Sequence, residues 1–483
     1  MGRMHGVGRR QLALGPLLLA LALAAGCSSI INGKAMSIYS NPDMVGGLRV
    51  SSGPSGLRPG VATTDLAVDG GTGDDVDQLA ANAVADVQAY WQENYPKLFN
   101  HPFTPVKKLV SYDSTEKSTR TKVCGSSTAG FINAFYCPAV DLIAWDRGQL
   151  LPAIKDRFTT MGVVSVLAHE YGHAVQERAT MNPPATPGIV LEQQADCFDG
   201  AFMRSVAEGN AAHFTLSTSS GLNTVLATTV AVRDQTGTDP TDKEAHGSAF
   251  DRVSAFQFGF SDGPGRCVQI TADDVSARLQ KLPSQFSDRG DTGDLPVNEK
   301  TISSVVTSLN ESFQGNHVEQ PTVVFGGSGR CADAKTTPPV SYCPASNTLT
   351  VDVAGLAVRA MKPAADDNSA LPSSISGDFS AFVLLASRYT LSVQKGLRAS
   401  LTGELVGLRS ACYAGGYAAA TSSSGSSLQL SPGDLDEAVS GLLTDGLAAS
   451  DVNGVEAPSG FTRVQAFRTG VLDGAGACAT VYS

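Results

Sequence analysis

In residues 161–179 apolar side chains recur at helical spacing. Val163, Val164, Val166, Leu167, Ala174 and Val175 supply one face, and Pro183 and Pro184 follow its end. A helix is therefore predicted there. Two more are expected over about 76–95 and 189–208. The segments 109–112 and 142–145 read as strands, with counterparts at 322–325 and 349–353. Long helices with a few short strands predict an α+β fold.

A different pattern opens the chain. Arg3, Arg9 and Arg10 precede an apolar run over about 12–25 that ends in small residues. A transmembrane helix needs roughly 20 apolar residues. This run is shorter, so residues 1–26 read as a secretory signal, the other reading being a short uncleaved membrane anchor. Leu23-Ala24-Ala25-Gly26-Cys27 resembles a bacterial lipobox, with Ala24 where Leu is commoner. The resemblance implies a lipid on Cys27 and a place in the bacterial cell envelope, on the extracytoplasmic side of the membrane. Residues 27–74 are rich in Gly, Ser, Pro and Asp and are expected to be a flexible tether.

The hydrophobic pattern also repeats. Phe135-Tyr136-Cys137-Pro138 recurs as Ser341-Tyr342-Cys343-Pro344. Val166-Leu167-Ala168 with Tyr171 and Gln176 recurs as Leu384-Leu385-Ala386 with Tyr389 and Gln394. Ala195-Asp196-Cys197-Phe198 recurs as Ala411-Cys412-Tyr413. Arg252, Phe256 and Cys267 recur as Arg463, Phe467 and Cys478. Four blocks in one order at nearly constant offset predict a tandem duplication. The copies span 75–285 and 296–483, with a Gly/Asp-rich linker at 286–295.

The 483 residues leave room for two such domains, and the net charge of −11 argues against nucleic acid as a partner. Of nine cysteines, Cys27 is taken by the lipid reading and eight remain, four per copy. Export makes them candidates for disulfides, and four cysteines allow three pairings. The simplest is Cys124–Cys137 and Cys197–Cys267, repeated as Cys331–Cys343 and Cys412–Cys478.

The chemistry sits in the first copy. His169-Glu170-Tyr171-Gly172-His173 is an HExxH motif. On a helix, positions i and i+4 share a face, so both imidazoles can reach one metal while Glu170 sits beside it. Glu192 and Asp196 share the same spacing on the next helix. Catalytic zinc takes three protein ligands and keeps a position for water. Glu192 can be the third ligand, and Asp196 can orient a ligating histidine. One Zn²⁺ is expected in the first domain. His101, His213 and His317 have no partner motif and read as surface or structural.

HExxH followed by ExxxD resembles the gluzincin arrangement of thermolysin-like peptidases. More closely, residues 80–270 resemble the bacterial putative neutral zinc metallopeptidase family. The carriers are Phe135–Pro138, Ala168–Gln176, Gln194–Cys197, and His246-Gly247-Ser248 followed by Arg252, Phe256 and Cys267. Ala174 stands where that family often has another histidine. The resemblance implies a zincin-like fold, His169, His173 and Glu192 as zinc ligands and Glu170 as general base. It implies a peptide or protein as substrate. His246 is a candidate second catalytic group, or equally a structural histidine in a loop.

The second copy carries none of this. His169, Glu170 and His173 face Ser387, Arg388 and Leu391, while Glu192, Asp196 and His246 face Gly407, Ala411 and Ala457. Those side chains cannot assemble the zinc site. The sequence thus predicts a lipid-anchored extracytoplasmic zinc metallopeptidase with a pseudo-enzyme second copy. The alternative is a non-catalytic envelope lipoprotein that uses the duplicated fold for binding or scaffolding. A small-ligand carrier is a third reading that no motif supports. The oligomeric state is left open.

Overall fold

The computed structural model describes residues 28–31, 34–37, 40–117, 122–242, 245–279, 293–315, 318–327, 329–362, 375–422 and 428–483. The signal segment 1–26, Cys27, His317 and most of the linker 286–295 lie outside them.

The fold is α+β, with long helices packed on small sheets. In the first half, helix α1 (Asp75–Phe99) is started by Asp74, whose carboxylate accepts from the Val76 and Asp77 amides. A three-stranded sheet follows: β1 (Lys108–Tyr112), β2 (Ala134–Cys137) and β3 (Leu142–Asp146). β3 is central, parallel to β1 with Ile143 opposite Leu109, and antiparallel to β2 with Ile143 opposite Tyr136. β2 therefore forms a sheet edge. Its residues were visible in the sequence as a block around Cys137, not as a strand.

Helix α2 (Leu150–Ala179) is longer than the expected 161–179 because a second helical segment precedes it. The two meet at a kink where Phe158 and Thr159 leave helical geometry, Thr159 at φ 60°. Helices α3 (Gly188–Ala207), α4 (Ser220–Ala231) and α5 (Ala249–Asp262) follow, and short helices at Pro264–Cys267 and Ala272–Leu279 end the half. α3 and α5 meet backbone to backbone. A Cβ on Gly200 would run into the Phe256 carbonyl, and one on Gly259 into the Cys197 carbonyl. Glycine is required at both places by the close approach. Cys197–Cys267 ties α3 to the short helix Pro264–Cys267 that follows α5, and Cys124–Cys137 fastens the end of β2 to the loop before it.

The second half has the same strand order. β4 (Thr322–Phe325) runs parallel to the central β6 (Thr348–Val351), which pairs antiparallel with β5 (Val340–Cys343). β6 stops short of the expected 353 because Asp352 accepts from the Gly355 amide and starts a helix at Val353. Around the sheet stand α6 (Glu299–Ser312), α7 (Asp378–Gly396), α8 (Glu404–Thr421), α9 (Asp434–Thr444) and α10 (Gly460–Asp473). Gly415 and Gly470 press on the Phe467 and Cys412 carbonyls, the same contact that α3 and α5 make. Cys412–Cys478 and Cys331–Cys343 are the disulfides of this half.

The halves share one continuous core. α4 and α5 pack against α9 and α10. Gln257 donates to the Phe461 carbonyl at 2.8 Å, and Arg468 donates to the Ser254 carbonyl at 3.1 Å. These two bonds cross between α5 and α10 in opposite directions.

The tether expectation is corrected for residues 40–74. Val45 is fully buried, and Gly56–Leu57 pairs with Phe214–Thr215. The Ser51 amide donates to Thr218 Oγ1 at 2.7 Å, and Arg58 Nε to the Phe214 carbonyl at 2.9 Å. Ahead of this, Ser28–Ile31 and Lys34–Ser37 pair as an antiparallel hairpin. The Gly/Ser composition that suggested a loose chain instead lets a strap lie close to the first half, because short side chains leave backbone groups free to pair.

Candidate metal centre

The kink in α2 sets off its second segment, which carries the HExxH residues. Val163, Val164, Leu167, Ala174 and Val175 bury the inner face. Gly172 lets α3 approach, since a Cβ there would meet Ala195 Cα at 3.0 Å. That approach brings Glu192 and Asp196 of α3 to the histidines of α2.

Glu192 Oε2 lies 3.1 Å from His169 Nε2, and Glu192 Oε1 lies 3.3 Å from His173 Nε2. Ligand atoms about 2.0–2.1 Å from a tetrahedral zinc sit about 3.3 Å from each other. Two nitrogens and an oxygen thus converge at the spacing of one coordination sphere. Glu192 Oε2 is sealed from solvent without a hydrogen-bonding partner, as a ligand oxygen would be. Burial works against its charge, but His173 and His169 outweigh it and hold Glu192 well below the usual carboxylate range.

The far nitrogen of each imidazole is already engaged. His169 Nδ1 lies 2.8 Å from Asp196 Oδ1. Arg252 of α5 forks onto Asp196, with Nε to Oδ2 at 2.9 Å and Nη2 to Oδ1 at 2.7 Å. Burial opposes the Asp196 charge, and Arg252 overcomes it. His173 Nδ1 lies 3.0 Å from Gln176 Oε1, and Gln176 in turn donates to the Leu191 carbonyl at 2.6 Å. An Nδ1–H that donates to oxygen leaves the Nε2 lone pair for a metal. The residues present fit zinc.

Glu170 Oε2 accepts from the Tyr136 amide of edge strand β2 at 2.9 Å. Burial pushes its carboxyl up, against the pull of His169 and His173. Both groups line a cleft of about 510 Å³ that also exposes Asn133, Phe135 and Arg233. On its floor Ser165 donates to buried Asp199 at 2.6 Å, and burial pushes the Asp199 carboxyl well up.

His246 lies on the same cleft, half exposed, in the loop between α4 and α5. Its Nδ1 lies 3.2 Å from Asp234 Oδ1, and the His246 and Gly247 amides donate to Asp234 Oδ2 at 2.7 Å. Its hydrogen bond to the Asp234 carboxylate raises the His246 pKa. All six candidate residues of the first half are therefore gathered at one cleft. Asp234, Gln176 and the ion-pairing role of Arg252 went unread in the sequence. Asp234 and His246 are twelve residues apart in a loop, and no short spacing flags such a pair. His213 binds Asp86 at 2.7 Å and His101 lies 3.5 Å from the Tyr95 hydroxyl, both away from the cleft.

The matching place in the second half is solid. Ser387, Arg388, Leu391, Ala411 and Ala457 are all fully buried. A Cβ on Gly407 would run into the Ala449 carbonyl. Residues 447–451 fill the space, and Arg388 donates to the carbonyls of Asp451, Leu447 and Ser450 at 2.6–2.8 Å. Burial lowers the Arg388 pKa to about 10.

A family model described as putative neutral zinc metallopeptidase matches residues 13–269. No curated protein and no solved structure matches the chain.

Proposed function

The chain belongs to the putative neutral zinc metallopeptidase family, and from that membership we propose that it is a zinc-dependent peptidase whose single catalytic centre lies in the first half. The observation that carries this is the convergence of His169, His173 and Glu192 with both Nδ1 atoms already engaged. His169, His173 and Glu192 would hold the zinc ion, which would supply Lewis acidity toward a water and the scissile carbonyl. Glu170 takes the proton of the attacking water and passes it to the leaving amine. Its bond to the Tyr136 amide keeps it beside the strand edge. His246, steadied by Asp234, donates to the oxyanion that develops on the substrate. The substrate is a peptide or protein chain entering the cleft beside β2.

The proposal extends to the rest of the chain. The shared strand order, glycine contacts and disulfide pattern of the halves support a tandem duplication whose second copy lost its chemistry. The lipobox-like sequence supports lipid on Cys27 and an extracytoplasmic place in the bacterial envelope. Among the described residues no helix is long and apolar enough to cross a membrane.

The decisive test is Glu170→Gln on the full chain, with zinc content and digestion of a peptide library measured together. The variant should keep about one zinc per chain and lose turnover by about 10²–10⁴-fold. Full activity in the variant would overturn the mechanism, and a wild-type chain that takes up no zinc would overturn the site.

A further inference from the structure

A second cluster of ionisable groups lies in the other half, away from the cleft. Asp294, Asp378 and Glu437 bring one oxygen each to within 4.8 Å of one another. Asp378 is the first residue of α7 and Glu437 sits in the first turn of α9, so the two helix starts face each other across the cluster. Asp434, the first residue of α9, adds a fourth carboxylate.

Three of the four are hidden, with Asp378 5%, Asp434 7% and Glu437 8% exposed. Several of their oxygens are engaged. Asp378 Oδ2 accepts from the Leu295 amide at 2.9 Å, Glu437 Oε2 from the Phe379 amide at 2.8 Å, and Asp434 Oδ2 from the Ser431 amide at 2.8 Å. Asp378 Oδ1 is sealed from solvent and has no hydrogen-bonding partner. Gly377 lies so close that a Cβ there would run into the Glu437 carboxylate. Among the described residues, the largely exposed Lys362 reaches the group, with its Nζ 2.6 Å from Asp294 Oδ2.

A buried unpaired carboxylate is costly, and here several face each other. Burial first, and then mutual repulsion, push the Asp434 and Glu437 carboxyls up to about 9 and about 8. The group must therefore hold protons or gain a counter-charge. Its donors are all carboxylate oxygens, which suit a hard cation and not zinc. Mg²⁺ usually takes only one or two carboxylates and keeps its waters, whereas Ca²⁺ accepts several carboxylates in irregular geometry. The positions that face His169, His173 and Glu192 are Ser387, Leu391 and Gly407, none of which belongs to the cluster. The cluster is therefore not the counterpart of the zinc site.

We propose that Asp294, Asp378 and Glu437, with Asp434 beside them, form a calcium site that joins the starts of α7 and α9 in the second half. The zinc-loaded full chain, freed of calcium by dialysis, is the material for the test. Equilibrium dialysis should show about one calcium bound per chain, and calcium should raise the melting temperature by a few degrees. The double variant Asp378→Asn/Glu437→Gln should lose both effects while keeping its zinc. Removing buried charge leaves its calcium-free fold no less stable. Should that variant misfold, Asp294→Asn at the exposed edge should still weaken calcium binding at least tenfold. A wild-type chain without saturable calcium binding overturns the proposal, and so does a variant that binds calcium as tightly as wild type.

Discussion

Asp196 and Asp234 each hold a histidine by its Nδ1, one at the candidate metal centre and one at the rim of the cleft. Their surroundings differ. Asp196 is buried under Arg252, whereas Asp234 also accepts two backbone amides and so fixes the loop as well as the ring. His246→Ala should lower turnover by about 10²–10³-fold with zinc content unchanged. Asp234→Asn should lower kcat more mildly and leave zinc in place. Because Asp234 raises the His246 pKa, its loss should also move the alkaline limb of the pH–rate profile to lower pH. An unchanged limb would reduce Asp234 to a loop fastener. Residues 169, 170, 173, 192 and 196 were legible because helical spacing alone places them. Asp234 was not, because a loop path has no period. Arg252 was visible as one of a repeated pair but not as the partner of Asp196. Both Arg252 and Arg463 donate to the carbonyl end of a neighbouring segment, at Val232 and Leu442 respectively, and Arg252 also pairs with Asp196 at 2.7 Å.

Among the elements, the starts of α7 and α9 in the second half carry a concentrated electrostatic load. Asp378, Asp434 and Glu437 have carboxyls raised to about 6, 9 and 8, burial being the largest cause in each. Asp294 and Lys362 face them. The folded state holds these protons more tightly than the unfolded chain does. Their stabilising effect is therefore complete below the unfolded values near 4 and is lost as pH rises through 6 to 9. In the metal-free chain the melting temperature should fall between pH 5 and pH 9, and calcium should flatten that fall. A metal-free chain whose melting temperature rises over this range would contradict the assignment. Strands 108–112, 142–146 and 322–325 and the three expected helices were readable from apolar runs, since burial imposes the pattern. The edge strand β2 was hidden by its half-buried side chains, and the strap at 40–74 by a composition that reads equally as loose or close-lying chain.

At the scale of the molecule, the two halves are not separable as bodies. Asp436 of α9 accepts from the Phe250 amide at the start of α5 at 2.9 Å, beside the His246 loop. Gln257 and Arg468 cross the interface in opposite directions, and Phe250 and Phe260 touch Phe467 and Phe461. Such an apolar face does not survive exposure well. Residues 40–279 expressed alone should aggregate or bind a hydrophobic dye, while the two halves produced together should co-purify. A monomeric, fully active first half would show instead that the second is dispensable for folding.

Arg388 closes the second half to chemistry. Its guanidinium is anchored to the backbone of residues 447–451, which occupies the room a ligand would need. Histidines placed at 387 and 391 would stand against packed backbone, and removing Arg388 would strand the carbonyls it satisfies. No single substitution here opens a cleft, so the packing works as a ratchet. Selection can go on reshaping the outer surface of this half, but a metal centre has no stepwise route to form inside it.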